Sequence, residues 1–217
     1  MTEDAGSQED RRRKRAAYPT RLRTLHAEER EDDAGYIAVS AGVRPIDLIW
    51  RLTVEAWEFK GEAVGASCVH RHIVALNAGG AEYLLIGAYA LAVHGLLRGT
   101  GALDLWVGPD EENLQLVQAA IEIPEPSLER LSEQDRLSPG AVVQIGAPPQ
   151  CLTLRTSIHG VEFEDAWTRR VLHAEADLVV PVLSASDLIR NKLATGRPQD
   201  GVDVGRLREC LRRSLKG

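Results

Sequence analysis

The longest apolar run of the chain extends from Tyr83 to Leu97, and Gly87 interrupts it early. An apolar run broken by glycine in this way predicts a buried strand that turns into a short helix. The stretch Ala102-Leu-Asp-Leu-Trp-Val107 follows and has the composition of a second strand. The pattern therefore predicts a strand, a glycine turn, a short helix and then a strand that carries Asp104.

Farther along the chain, the hydrophobic spacing switches between the period of strands and the period of helices. Asp110 is predicted to cap a helix, and Ser184 with Asp187 has the spacing of a second capping pair. Strands are predicted at residues 141–145, 152–157 and 178–183, and helices near residues 163–167, 184–194 and 200–215. The order of these elements predicts an alternating α/β chain.

The part of the chain before residue 75 is different in composition. Residues 1–40 contain a basic run at 11–15 and an acidic run at 28–33, which together predict a charged, mostly disordered tail. Contact of the basic run with nucleic acid or an anionic surface is the alternative. Residues 41–74 are predicted to be partly helical, and residues 75–215 form the main predicted domain.

Within the segment 41–74, Cys68, His70 and His72 alternate as residues on one strand face would. Sulfur and imidazole are zinc ligands, but no fourth ligand follows at a suitable spacing. The pattern is therefore only a weak indication of a zinc site.

The composition limits the classes of function. A chain of 217 residues with 44% hydrophobic residues can bury one sizeable core. Its net charge of −6 argues against a protein whose whole surface binds nucleic acid. The amino terminus lacks the apolar segment of a secretory signal, and the longest apolar run is shorter than the roughly 20 residues of a membrane span. We therefore expect a cytoplasmic protein without a membrane partner.

Candidate chemistry is concentrated around Gly87 and Asp104. A strand that turns at glycine into a helix presents free backbone N–H groups, which suit a phosphate. Two acidic residues at alternate positions of the next strand would share divalent cations, but the residue two before Asp104 is Ala102. Asp104 alone would hold Mg²⁺ weakly. The alternative is a purely structural role, in which the Asp104 carboxylate binds backbone amides at a strand end.

Three motifs in this region have the spacing of a known family: Gly87-Ala-Tyr-Ala-Leu91, His94-Gly95 and Arg98-Gly-Thr-Gly-Ala-Leu-Asp104. From about residue 81 to about residue 207, the chain resembles the minor nucleotidyltransferases, in particular the bacterial abortive-infection and toxin-type nucleotidyltransferase-like proteins. The resemblance implies an α/β (α+β) fold, with a mixed sheet flanked by helices and a carboxy-terminal helical segment. It implies nucleotide or phosphate contacts by Gly87, Ala88, Arg98, Thr100, Lys192 and Arg197, with Asp104 as the catalytic and metal-binding residue.

Two positions depart from the family pattern. Ala102 and Thr153 stand where the resemblance implies two further carboxylates, and neither can supply the anionic oxygen that Mg²⁺ prefers. The resemblance therefore implies a catalytically impaired member with weakened Mg²⁺ binding. Substitution of a missing ligand by Glu82, Asp110 or Glu164 is the alternative. Lys192 and Arg197 are alternatively ordinary charges near a helix end.

The expected function is binding of a nucleoside triphosphate or a protein partner, in a toxin–antitoxin or phage-defence system with a cognate antitoxin. One alternative is an active enzyme that transfers a nucleoside monophosphate to RNA or protein. The other is a non-enzymatic interaction module. The chain contains no Gly-x-x-x-x-Gly-Lys-Ser/Thr loop, no His-Glu-x-x-His zinc motif and no Gly-x-Ser-x-Gly nucleophile turn, so no other enzyme class is indicated.

Overall fold

The computed structural model of the chain describes residues 37–38, 44–59, 68–97, 99–122, 140–145, 151–175 and 178–214. The predicted charged tail lies outside these residues except at 37–38, and the predicted phosphate-binding residue Arg98 also lies outside them. The helices within these ranges are α1 (Pro45–Phe59), α2 (Cys68–Ala78), α3 (Gly87–Val93), α4 (Glu111–Glu122), α5 (Phe163–Thr168), α6 (Ala185–Thr195) and α7 (Pro198–Ser214). The strands are β1 (Ile37–Ala38), β2 (Tyr83–Leu85), β3 (Leu96–Leu97), β4 (Ala102–Val107), β5 (Val142–Ile145), β6 (Cys151–Arg155), β7 (Val171–Glu175) and β8 (Leu178–Val182).

Six of these strands form one mixed sheet in the order β5, β6, β4, β2, β8, β7. The central pair β2 and β4 is antiparallel, whereas β4 with β6 and β2 with β8 are parallel. The outer strands β5 and β7 run antiparallel to their neighbours, and β1 pairs with β3 in a separate two-stranded sheet. The predicted fold class, a mixed sheet flanked by helices with a helical carboxy-terminal segment, is confirmed.

One face of the six-stranded sheet is the hydrophobic core. Alternate residues of β4, β5 and β6 point to this face and are buried: Leu103, Leu105, Val107, Val143, Ile145, Leu152 and Leu154. Tyr83 of β2 lies on the same face, and its hydroxyl donates a 2.8 Å hydrogen bond to Asn77 Oδ1 of α2. Burial raises the pKa of Tyr83, so its hydroxyl remains protonated at neutral pH. This bond fixes α2 over the core face.

Helix α2 crosses the predicted boundary between residues 74 and 75. Its side chains Ile73 and Leu76 are 2% and 0% exposed and belong to the core of the main sheet. The interpretation of Cys68, His70 and His72 as one strand face is wrong, because these residues lie in a helix, where alternate positions point in different directions. The division into domains stays a prediction, and α2 packs with the predicted main domain.

Two predicted helix caps are confirmed. Asp110 Oδ1 accepts a 2.8 Å hydrogen bond from the amide of Asn113 at the start of α4. Ser184 Oγ accepts one from the amide of Asp187 at the start of α6. None of the helices in the described ranges has both the length and the apolar character that crossing a bilayer requires.

Asp187, in the first turn of α6, is 0% exposed and is held by charged and polar donors. Arg169 donates two hydrogen bonds of 3.0 Å to its carboxylate, and Ser184 Oγ donates one of 2.8 Å. Burial alone would raise the pKa of Asp187, but the hydrogen bonds from Arg169 and Ser184 outweigh it, and the net pKa is lowered. The carboxylate is therefore ionised and paired at neutral pH.

We expect Asp187→Asn to lower the free energy of unfolding by about 2 kcal/mol at pH 7, because hydrogen bonds to a charged group are lost. Since the folded pKa is lowered, this stabilisation is present above the unfolded pKa of roughly 4 and disappears as the pH falls through the folded value. Urea unfolding at several pH values measures the difference. Glu162→Gln, at an exposed position, is the control. A difference between Asp187→Asn and the wild type that is independent of pH would contradict this account.

Candidate functional site

The predicted glycine turn places a carboxylate against the start of a helix. After β2, the amide of Ile86 donates a 3.1 Å hydrogen bond to the carbonyl oxygen of Asp104, and Gly87 begins α3 with a φ of 65°. A Cβ atom at Gly87 would lie 2.6 Å from Asp104 Oδ2, so glycine is required both for the backbone angle and for space. The negative Asp104 carboxylate thus lies near the positive end of the α3 dipole.

Two neutral polar residues stand beside Asp104 in the sheet. Thr153 of β6 is its register partner in the parallel pair, and Gln144 of β5 is in turn the partner of Thr153. Neighbouring strands are about 4.8 Å apart, so Asp104, Thr153 and Gln144 form a row across three strands on one face. Ala102 lies on the same face, two residues before Asp104. Of the two neutral positions, Ala102 therefore lies two residues from Asp104 along β4, and Thr153 lies beside Asp104 on the neighbouring strand β6.

The sheet face that carries this row is less covered than the core face. Ala102, Asp104, Val142, Gln144 and Arg155 are half-buried, while the residues between them on the same strands are buried. Thr153, in the middle of the row, is 4% exposed. We call the surface formed by Ala102, Asp104, Val142, Gln144, Thr153 and Arg155 the open face.

Aromatic rings border the open face at the end of β4. Trp106, two residues beyond Asp104, makes an edge-to-face contact with Phe163 of α5, with ring centres 5.1 Å apart. Phe163 stacks in turn on Trp167 at 5.8 Å, and the Arg170 guanidinium lies 4.0 Å from the centre of the Trp167 ring. These contacts anchor α5 beside the open face.

Thr100, Ala88 and His94 lie close to β4 in the chain and make local contacts, and nucleotide binding by Thr100 and Ala88 stays a prediction. The Thr100 hydroxyl donates a 3.1 Å hydrogen bond to the carbonyl oxygen of Ala102 and so shapes the entry to β4. Ala88 is 3% exposed, with its side chain in the core. His94 Nε2 donates a 2.8 Å hydrogen bond to the carbonyl oxygen of Leu183. Burial lowers the pKa of His94, and this hydrogen bond partly offsets that lowering. The hydrogen bond also connects the end of α3 to the end of β8.

Lys192 and Arg197 lie where α6 and α7 meet. Lys192 is 4% exposed, and its Nζ donates hydrogen bonds of 3.0 Å to Asp200 and 2.5 Å to Asp203. Arg197 Nε donates one of 2.8 Å to Asp200. Both cations are thus engaged with carboxylates of α7, which explains their presence without a ligand. Phosphate binding by either residue stays a prediction.

The donor set around Asp104 is poor for a metal ion. Among the described residues, no three His, Cys, Asp or Glu side chains lie close enough together to hold a metal. Asp104, with the neutral oxygens of Thr153 and Gln144, would fit one Mg²⁺ shared with phosphate oxygens of a ligand, since Mg²⁺ is often bound by one or two carboxylates and substrate phosphates. This set does not fit a pair of ions.

Two of the three acidic residues proposed as substitute ligands, Glu82 and Asp110, lie away from Asp104. The amide of Gly108 donates a 3.0 Å hydrogen bond to the carbonyl oxygen of Glu82, so Glu82 and the nearby Asp110 lie at the far end of β4. Gly108 is four residues beyond Asp104 along the chain, a distance of roughly 13 Å in an extended strand. Glu164 is exposed on α5.

Two polar residues of the open face, Gln144 and Arg155, were not identified from the sequence. The alternation of burial along β5 and the pairing of β5 with β6 and β4 are the features that reveal them. The alternation alone is visible in the sequence, but the pairing is not. Strand pairing was therefore the missing information.

Comparison with known proteins adds no family assignment. No protein-family model matches the chain, and no curated protein matches it significantly in sequence. The resemblance to minor nucleotidyltransferases consequently rests on the motifs described above.

Proposed function

We propose that this chain is a catalytically impaired nucleotidyltransferase-like protein that binds a nucleoside triphosphate on the open face. The observation that supports the proposal is the register between β4 and β6, in which Thr153 is the partner of Asp104. The resemblance implies a third carboxylate at the position of Thr153, and the register of β4 with β6 puts this residue beside Asp104. Ala102 is the other position where the resemblance implies a carboxylate. The site therefore has one of the three carboxylates that the resemblance implies for nucleotidyl transfer.

The chemistry of the site favours binding over transfer. Nucleotidyl transfer requires stabilisation of the negative charge that develops on the attacking and leaving oxygens, which a pair of metal ions provides when bound. With Asp104 as the single carboxylate, the open face would hold at most one ion, and weakly. Asp104 and the Thr153 and Gln144 side chains would then orient the nucleotide without activating it.

The proposal extends to a cytoplasmic toxin–antitoxin or phage-defence system in which a cognate antitoxin is the protein partner. The resemblance of the motifs to abortive-infection and toxin-type proteins supports this setting. An RNA or protein acceptor belongs to the alternative in which the chain is active.

The test is transfer of α-labelled nucleoside triphosphates to total RNA and to the protein itself, with Mg²⁺ or Mn²⁺. We expect no label transfer by the wild-type chain and measurable transfer by Ala102→Asp/Thr153→Asp, because the double variant restores carboxylates on both sides of Asp104. Adding Asp104→Ala to the double variant should abolish its transfer. Leu116→Asp/Val202→Asp, which adds the same charge at exposed helix positions, is the matched control and should be inactive.

Nucleotide binding is measured in parallel by calorimetry with ATP, GTP, CTP and UTP. Transfer by the wild-type chain that Asp104→Ala removes would contradict impairment and establish the active alternative. Absence of binding to all four nucleotides would contradict the proposal and favour the interaction module.

A further inference from the structure

Arg155, at the end of β6, is a half-buried cation without a partner in the described part of the chain. Its guanidinium group makes no hydrogen bond and no ion pair there, unlike those of Arg169, which pairs with Asp187, and Arg197, which pairs with Asp200. A guanidinium group has five donors in a planar fork that matches carboxylate and phosphate oxygens. Partial burial without such a partner is unfavourable, so an external anion is the natural complement.

A second unmet donor lies next to Arg155. Trp106 is the register partner of Arg155 in the parallel pair of β4 and β6. Its side chain is 1% exposed, and its Nε1 atom has no hydrogen-bond partner among the described residues. Buried polar groups are nearly always hydrogen-bonded in native structures, and an exception indicates a water, an ion or a ligand. Paired residues on neighbouring strands thus each carry a donor group without an acceptor, which favours an acceptor-rich ligand at this end of the open face.

The position of Arg155 relative to Asp104 suits a triphosphate. Arg155 follows Thr153 by two residues on the same strand face, which places its Cα about 7 Å along β6 from the row that contains Asp104. A charged side chain of this length spans much of that distance. The open face thus carries the Asp104 carboxylate and, two residues farther along the strands, the Arg155 guanidinium.

We propose that Arg155 is the phosphate-binding cation of the open face, and that it contacts the triphosphate of the nucleotide directly. This inference rests on the proposed function for the identity of the anion. Arg155 is a better candidate than Lys192 or Arg197, because both of those cations are already paired with carboxylates of α7. A cation that contacts the phosphates directly is favourable because one carboxylate recruits Mg²⁺ poorly, so the metal neutralises less of the phosphate charge.

The experiment uses the full chain and two probes, ATP and inorganic tripolyphosphate, titrated by calorimetry with and without Mg²⁺. We expect Arg155→Met to raise the Kd for both probes by roughly tenfold to a hundredfold, the range for loss of a charge-assisted hydrogen bond. Arg155→Lys should raise it less, because the charge is kept and the fork is lost. Arg208→Met, at an exposed position of α7, is the matched control and should leave both values within about twofold.

The outcomes separate this inference from the proposed function. Unchanged ATP binding in a folded Arg155→Met protein overturns the inference and leaves the proposed function intact. Arg155-dependent binding of tripolyphosphate without any binding of ATP supports the anion site and overturns nucleotide binding. Absence of binding to both probes in the wild-type chain overturns both. Thermal unfolding shows whether each variant is folded. If Arg155→Met does not fold, Arg155→Lys takes its place in the binding measurements.

Discussion

Replacement of Lys192 by methionine is expected to lower the free energy of unfolding by about 3–5 kcal/mol, the range for breaking a buried ion pair by removing one partner. Lys192, Asp200 and Asp203 are 4%, 2% and 0% exposed. Methionine fills a similar volume but leaves two buried carboxylates without their shared cation. Urea unfolding at pH 7, followed by circular dichroism, measures the loss. We also expect α7 to separate from α6 at a lower urea concentration in Lys192→Met than in the wild type.

Arg197→Met is the graded control for this prediction. Its side chain is 55% exposed in its ion pair with Asp200, so its removal should cost no more than about 1 kcal/mol. Addition of Asp203→Asn to Lys192→Met should recover part of the stability, because one of the uncompensated charges is removed. Equal losses for Lys192→Met and Arg197→Met would show that the buried cluster does not stabilise the interface between α6 and α7.

The pH dependence of the Lys192 effect follows from Asp200. Burial raises the pKa of Asp200, but the hydrogen bond from Arg197 and the charge of Lys192 outweigh it, so the net pKa is lowered. The stabilisation by Asp200 is therefore present above its unfolded pKa and is lost as the pH falls through its folded pKa. In Lys192→Met the same carboxylate is less stabilised in its charged form. The gap between the two proteins should consequently be largest near neutral pH and shrink in acid.

The same cluster shows what sequence reasoning could not provide. The sequence predicts both helices and identifies Lys192 and Arg197 as either phosphate ligands or helix-end charges. Lys192 reaches partners eight and eleven residues away on the next helix, and this pairing depends on how α6 and α7 pack. Spacing along one helix predicts contacts three or four residues apart, not contacts between helices.

The fold is predictable where hydrophobic periodicity is strong. The strand β2, the glycine turn, the helix α3, the strand β4 and the helix capped by Asp110 were predicted from apolar spacing, glycine and capping residues, whereas the short strand β3 between α3 and β4 was not. Helix α2 and strand β7 were missed. The alternating Cys-Val-His-Arg-His sequence at the start of α2 imitates a strand, and tertiary packing of Ile73 and Leu76 decides otherwise. Strand β7 is short, and Leu172 is 60% exposed, so it lacks a buried pattern.

The candidate site was predicted in part. The proximity of Gly87 and Asp104 follows from a strand, turn, helix and strand in succession, because the second strand returns beside the first. The placement of Thr153 beside Asp104 depends on the parallel pairing of β4 with β6, which skips over α4 and β5 in the chain. Arg155 and Trp106 are recognised as candidates only because their side chains lack hydrogen-bond partners among the described residues, and a sequence does not show hydrogen bonds.

Gly87→Ala is expected to lower the free energy of unfolding by about 2–5 kcal/mol, the second large effect. A left-handed backbone costs a residue with a Cβ roughly 1–2 kcal/mol, and overpacking adds about 1–3 kcal/mol. The new Cβ would lie 2.6 Å from Asp104 Oδ2 and 3.3 Å from Asp104 Cγ, so the carboxylate must rotate away from α3. Urea unfolding measures the loss, and displacement of Asp104 should also weaken any Mg²⁺-dependent nucleotide binding.

Gly80→Ala separates the two causes. Gly80 has a φ of 70°, close to that of Gly87, but a Cβ there would meet nothing within 4 Å. Its substitution should therefore cost only the backbone strain, about 1 kcal/mol. In the Asp104→Ala background the cost of Gly87→Ala should fall toward that of Gly80→Ala, since the carboxylate that the new Cβ would meet is gone. Equal costs for Gly87→Ala in both backgrounds would mean that Asp104 does not pack against the start of α3, and would remove the geometric basis of the proposed nucleotide site.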